Sequence, residues 1–150
     1  MLFNVKEVLD KYEKKFEHCN KVMKYVLYPS KSDILIVCFS TLGKNIYERI
    51  RMFWDENETW QYNFLFIADN NGEKQEGLYY LGLADNFEIE KQTLEMIRYI
   101  QEKRKIKYTF SIGSSMGGYA AVYFAVKNLF NGAIAVVPQV NEDIILACGW

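Results

Sequence analysis

Histidine is almost absent from this chain. The one copy, His18, lies in the charged stretch Glu13-Lys14-Lys15-Phe16-Glu17-His18 and reads as an exposed residue at a helix end. Chemistry that needs an imidazole base must find it there or nowhere in the sequence. Cysteine is sparse too. Cys19, Cys38 and Cys148 are odd in number and scattered, which argues against a disulfide framework or a metal site, and Cys38 reads as a packing residue inside a strand. No apolar run approaches the length of a membrane span, and the opening Met1-Leu2-Phe3-Asn4-Val5-Lys6-Glu7 lacks the apolar centre of a secretory leader. The net charge is −1 and no basic stripe is interleaved with aromatics, so a nucleic-acid partner is not expected. The expected compartment is cytoplasmic.

Half of the residues are hydrophobic and a quarter charged, enough for one domain with a real core. Val5, Val8, Leu9, Tyr12 and Phe16 recur at helical spacing and predict an amphipathic first helix. Lys21 to Tyr28 reads as a strand ended by Pro29. The continuous run Ile34-Leu35-Ile36-Val37-Cys38-Phe39 predicts a central parallel strand covered on both faces. A helix is expected around Ile46 to Trp54, a strand over Tyr62 to Ala68, and a short extended piece over Gly77 to Gly82. A helix over Phe87 to Arg104 is followed by a strand Tyr108–Ile112, a helix Gly117–Leu129 and a last strand Ala133–Val137. The helix after the glycines is apolar nearly all round, which predicts burial. Alternating strands and helices imply a mostly parallel sheet with right-handed crossovers.

The most informative stretch is Gly113-Ser114-Ser115-Met116-Gly117-Gly118, between a strand and a helix. This is the strand–turn–helix setting of the nucleophile elbow, G-x-S-x-G, with Ser115 at its centre. The turn brings the flanking positions together, so Gly113 and Gly117 serve as the elbow-shaping residues. The Met116 N–H, at the head of the helix, is the expected first oxyanion donor, and Ser40 or Thr41, after the earlier central strand, the second. The alternative is a glycine-rich turn used for packing or for an anion. Ser114 is the competing hydroxyl, without glycines placed symmetrically about it. A dinucleotide pattern fails because Ser115 stands where its second glycine belongs, and no P-loop lysine follows, so no cofactor and no metal are expected. Asp69 reads as the start of an Asp-Asn-Asn-Gly turn, with substrate orientation as the other reading. Glu142 and Asp143 read as a solvated helix start. In this architecture the triad runs Ser, acid, His along the chain, and no histidine follows Ser115.

The run Phe110-Ser111-Ile112-Gly113-Ser114-Ser115-Met116-Gly117-Gly118-Tyr119-Ala120-Ala121 resembles the elbow of bacterial capsular polysaccharide biosynthesis proteins of α/β-hydrolase type. Three further pieces fit the same family: Val37 to Gly43, Gly77-Leu78-Tyr79-Tyr80-Leu81-Gly82, and Val136-Val137-Pro138-Gln139. The resemblance runs from Ser32 to Ile145 by order and spacing. It implies ester-cleaving or acyl-transfer chemistry around surface-glycan assembly, with Ser115 as nucleophile and a glycan or acyl ester as substrate. Met116 departs from the lysine that often follows the serine in this family. The family's length implies that an acid and a histidine come from beyond the Pro-Gln segment.

The expected fold is therefore α/β: a three-layer sandwich with a mostly parallel central sheet, α/β-hydrolase-like, truncated after the strand Ala133–Val137. The apolar tail Ile144 to Trp150 adds to that expectation, and the exposed last strand suggests a homodimer through the sheet edge. The expected function is serine-dependent esterase or acyltransferase chemistry, incomplete here. The alternative is a non-catalytic binding or assembly module on the same fold.

Overall fold

A computed structural model describes residues 3–18, 21–41, 47, 49–69, 71, 77–82, 87–138 and 140. Helix α1 (Val5–Tyr12) starts where the Asn4 side chain accepts the Lys6 amide at 3.0 Å. Strands β1 (Glu13–His18) and β2 (Lys21–Tyr28) follow, then β3 (Ile34–Phe39), β4 (Asn63–Ile67), helix α2 (Glu88–Arg104), strand β5 (Tyr108–Ser115), helix α3 (Met116–Lys127) and strand β6 (Gly132–Pro138). One six-stranded sheet has the order β1-β2-β4-β3-β5-β6. β3, β4, β5 and β6 are mutually parallel, while β2 runs antiparallel to β4 and β1 antiparallel to β2. From β3 the chain passes to β4 on one side, then through α2 back across to β5 on the other side of β3. The switch point therefore lies at the carboxyl ends of these strands, where open α/β sheets bind ligands.

Side chains alternate across β3. Leu35, Val37 and Phe39 face a core layer with α2 and α3, packing with Ile97, Ile100, Ala120, Ala121 and Phe124. Cys38 faces the opposite layer, where Val8 and Tyr12 of α1 meet Tyr28, Trp60 and Phe66. That second layer is built of rings: Tyr28 stacks on Trp60 at 4.5 Å, and Tyr12 meets both edge-on. The amino ends of β3 and β4 are closed by buried Asn63, which bonds the Ser30 amide and the Ser32 and Ile34 carbonyls. The three-layer, mostly parallel arrangement matches the sequence expectation.

Several local expectations do not hold. The first helix stops at Tyr12, because Glu13 turns extended (ψ 132°) and residues 13–18 pair along their whole length with β2. A four-residue spacing from Tyr12 to Phe16 looks helical, yet Phe16 packs from the strand against Tyr99 of α2. His18 is accordingly not a helix end. It is a half-buried strand residue stacked on Phe16. Around the helix expected over Ile46 to Trp54, the described residues form successive three-residue turns instead, with Ile50, Met52 and Trp54 amides bonding Tyr47, Arg49 and Arg51 carbonyls. Residues 42–46 and 48 lie outside the described set. Helix α3 is not buried all round: Val126 is 72% exposed and Val122 lies open beside it. The sheet covers only its inner face. β6 has no strand beyond it among the described residues, and Ile134, Val136 and Val137 are exposed.

No helix among the described residues is long and apolar enough to cross a membrane. Cys38 is buried, and burial pushes its thiol well above the ordinary range, outweighing the nearby Arg49 charge. Iodoacetamide at mildly alkaline pH should leave Cys38 unmodified in the folded protein and modify it once urea unfolds the chain. Peptide mapping that finds Cys38 alkylated under native conditions would contradict this packing.

Candidate functional site

Strand β5 ends at Ser115 and α3 begins at the next residue, so no loop absorbs the change of direction. The backbone of Ser115 takes it up alone, with φ 52° and ψ −123°. A side chain in that region costs roughly 1–3 kcal/mol and persists only where the surroundings impose it. The ladder to β6 slips at the same point, between Ser114 and Ser115, opposite Val137 with its own positive φ of 44°. Such irregularities re-aim a side chain at the end of a strand. The Ser115 side chain makes no capping bond to α3.

The surroundings leave no slack. A Cβ on Gly113 would lie 1.9 Å from the Gly117 carbonyl oxygen. A Cβ on Gly117 would lie 2.5 Å from both the Phe39 and Ser40 carbonyl oxygens at the end of β3. The first turn of α3 therefore rests directly on the backbone of β3. Ser111 secures the helix from the other side, its hydroxyl donating to the Ala121 carbonyl at 2.7 Å. The Met116 side chain is fully buried in the core layer. Its amide is among the four at the start of α3 that no helical carbonyl reaches, at the positive end of the helix dipole.

Two side chains tie β3 to its neighbours at this edge. Arg49 donates to the Phe39 carbonyl at 3.1 Å and to Ser114 Oγ at 2.6 Å, joining β3 to β5. The Ser114 hydroxyl is thereby engaged by a guanidinium. On the other side, Tyr80 Oη lies between β3 and β4. It accepts the Ser40 amide at 2.7 Å, meets Ser40 Oγ at 2.7 Å and donates to the Ile67 carbonyl at 3.1 Å. Burial raises the Tyr80 phenol far above its ordinary pKa, so it stays protonated.

Residues 77–82 form a tight turn rather than the expected extended piece. Tyr79 and Tyr80 both have positive φ, 56° and 61°. The cause is Asp69, buried at the end of β4, whose Oδ2 accepts the Leu78 and Tyr80 amides at 2.7 Å each. Its Oδ1 takes the Asn71 amide and side chain. Asp69 is thus the turn-former expected from the sequence, holding a larger turn than Asp-Asn-Asn-Gly.

Of the expected oxyanion loop, Ser40 is buried with its amide committed to Tyr80, and Thr41 is half-buried one residue further on. His18 lies on β1, four strands from β5, which is about 19 Å across a sheet. Glu142 and Asp143 lie outside the described residues. Among the described residues no cluster of three His, Cys, Asp or Glu side chains could hold a metal ion. Arg49 and Tyr80 were missed as site residues. Arg49 carried no sequence signal, whereas Tyr80 stood inside the Gly77–Gly82 piece. An apolar groove of about 540 Å³ runs elsewhere, along the outer face of α3, lined by Tyr119, Val122, Tyr123, Val126 and Pro138.

No protein-family model matches the chain, and no curated protein matches it. Solved structures do. The Glycosylation Associate Protein (Gap123) complex from Streptococcus agalactiae matches with a TM-score of 0.65 at 20% identity, over 86% of this chain and 24% of that one. The capsule O-acetyltransferase of Neisseria meningitidis serogroup A matches at 0.64 and 21% identity, over 90% and 55%. An alpha-beta serine hydrolase homologue from Coxiella burnetii matches at 0.59 and 15% identity, over 91% and 67%. The fold is that of the α/β hydrolases. The chain spans about a quarter of the Gap123 chain and just over half of the acetyltransferase chain.

The contact between β5 and the first turn of α3 makes a sharp stability prediction. Gly113→Ala should destabilise the protein by about 3 kcal/mol or more, since backbone must move to admit the methyl group. Gly132→Ala meets only the Phe110 ring at 3.3 Å and should cost less than about 1 kcal/mol. Urea unfolding of the two variants beside wild type measures both. Equal midpoints would contradict the steric account.

Proposed function

We propose that this chain carries the charge-stabilising half of a serine esterase or acyltransferase site that works on bacterial capsular or surface polysaccharide. The observation that carries the reading is the backbone of Ser115, φ 52° and ψ −123°, strained between a central strand and a helix N-terminus. In this reading Ser115 Oγ attacks the carbonyl carbon of an acyl ester. The carbonyl electron pair moves onto oxygen and is met by the Met116 N–H and by a donor from the Ser40–Thr41 loop. Collapse of the intermediate expels the alcohol and leaves the acyl group on Ser115, which a glycan hydroxyl or water then takes. The likeness to a capsule O-acetyltransferase supports the glycan side of the proposal.

Proton transfer is the missing half. The sequence holds one histidine, and it lies four strands away. Without a base Ser115 is a weak nucleophile, so turnover by this chain should be slight. The second reading, a silent binding or assembly module, draws on that same absence and on the Gap123 neighbour being part of a complex.

An imidazole-rescue experiment separates the two. With imidazole present, intact-mass spectrometry with a fluorophosphonate should show one adduct at Ser115, absent in Ser115→Ala. Added imidazole should speed ester cleavage by wild type at least several-fold more than by Ser115→Ala. No adduct and no rescue would favour the silent module.

The exposed β6 edge, with Ile134, Val136 and Val137 beside it, belongs to the same proposal as a self-association surface. No strand beyond β6 is found among the described residues, and such an edge offers its backbone to a second copy. Sedimentation should find a dimer that Val136→Lys weakens. A monomer at tens of micromolar would end this part of the reading.

A further inference from the structure

We propose that Tyr80 is a positioning residue for the oxyanion site: its phenol fixes the exit of β3 and keeps the Ser40 amide for itself, so that Ser40 is not the second oxyanion donor. The inference rests on Ser115 acting as the nucleophile.

A phenol has one proton to donate and two lone pairs to fill. The Tyr80 proton goes to the Ile67 carbonyl, and the Ser40 amide fills one lone pair. The contact with Ser40 Oγ is then donated by the serine, which fills the other. The node is saturated and wholly buried, and it joins the end of β4 to the first residue after β3. Its bond from the Ser40 amide takes that N–H away from any ligand. The chain leaving β3 is held on one side by Tyr80 and, through the Phe39 carbonyl, on the other by Arg49.

The turn behind Tyr80 is built to place this ring. Asp69 holds the Tyr80 amide, two consecutive non-glycine residues sit in the left-handed region, and the ring meets Phe39 edge-on at 4.9 Å. Strain of this kind in a buried turn suits a group whose position matters to a site.

Tyr80→Phe removes the hydroxyl and nothing else. At a temperature where circular dichroism shows both proteins folded, amide exchange at Ser40 should quicken at least 10-fold, while Val37 in the middle of β3 keeps its protection. Fluorophosphonate labelling of Ser115 in imidazole buffer should slow about 10-fold, because the chain leaving β3 shifts beside the oxyanion site. Tyr79→Phe, one residue earlier, should label like wild type. Should Tyr80→Phe fail to fold, Asp69→Asn loosens the same turn with the phenol intact and should slow labelling in the same direction. Unchanged exchange at Ser40, or faster exchange with unchanged labelling, overturns the role of Tyr80 while leaving Ser115 as nucleophile. A wild-type protein that never labels overturns both.

Discussion

The approach of the α3 backbone to the end of β3 constrains everything at this edge of the sheet. Gly117 rests on the Phe39 and Ser40 carbonyls with no room for a methyl group, and Gly113 faces Gly117 across the turn at still closer range. With the helix start pinned there, the chain leaving β5 has one residue in which to reverse. Ser115 is that residue, and its backbone takes the strained conformation because its neighbours have no freedom to relieve it. The strain is offset by burial: Met116, Ala120, Ala121 and Phe124 are all fully enclosed against the sheet.

The same edge shows how polar groups can be gathered without loosening it. At the end of β3 the Phe39 carbonyl and the Ser40 amide are each met by a side chain from outside the sheet. Arg49 bonds the Phe39 carbonyl and Ser114 hydroxyl in one planar group, which a lysine could not do with the same geometry. Tyr80 spans from Ser40 to Ile67 on the other side. The ends of β4, β3 and β5 are thereby cross-tied at the level of Ser115, as rigid support for a site requires.

Much of this was legible in residue order, for identifiable reasons. The run Ile34 to Phe39 could only be a strand buried on both faces, and Gly113, Ser115 and Gly117 report a steric requirement that local spacing expresses. The boundary at Tyr12 was not legible, since Phe16 falls at a spacing that suits a helix, and only pairing with β2 decides for a strand. The turns of residues 49–53 were hidden by an apolar pattern whose rings pack individually, Phe53 on Phe64 and Trp54 on Tyr28. Tyr80 and Arg49 could not be assigned from sequence, because their partners lie 40 and 65 residues away and become neighbours only through the parallel crossovers. Asp69 was legible as a turn-former but not in its reach, which extends to Leu78 and Tyr80.

Stabilising a negative charge and moving a proton make different demands on a protein. The first needs backbone amides held still, and close contact among β3, β5 and α3 supplies that within one compact unit. The second needs a titrating side chain close to the serine oxygen. Among the described residues at this edge, Arg49 cannot act as a base, Tyr80 is protonated and saturated, and Asp69 is spent on four donors of its own turn. On the proposed reading a base therefore comes from outside these three residues.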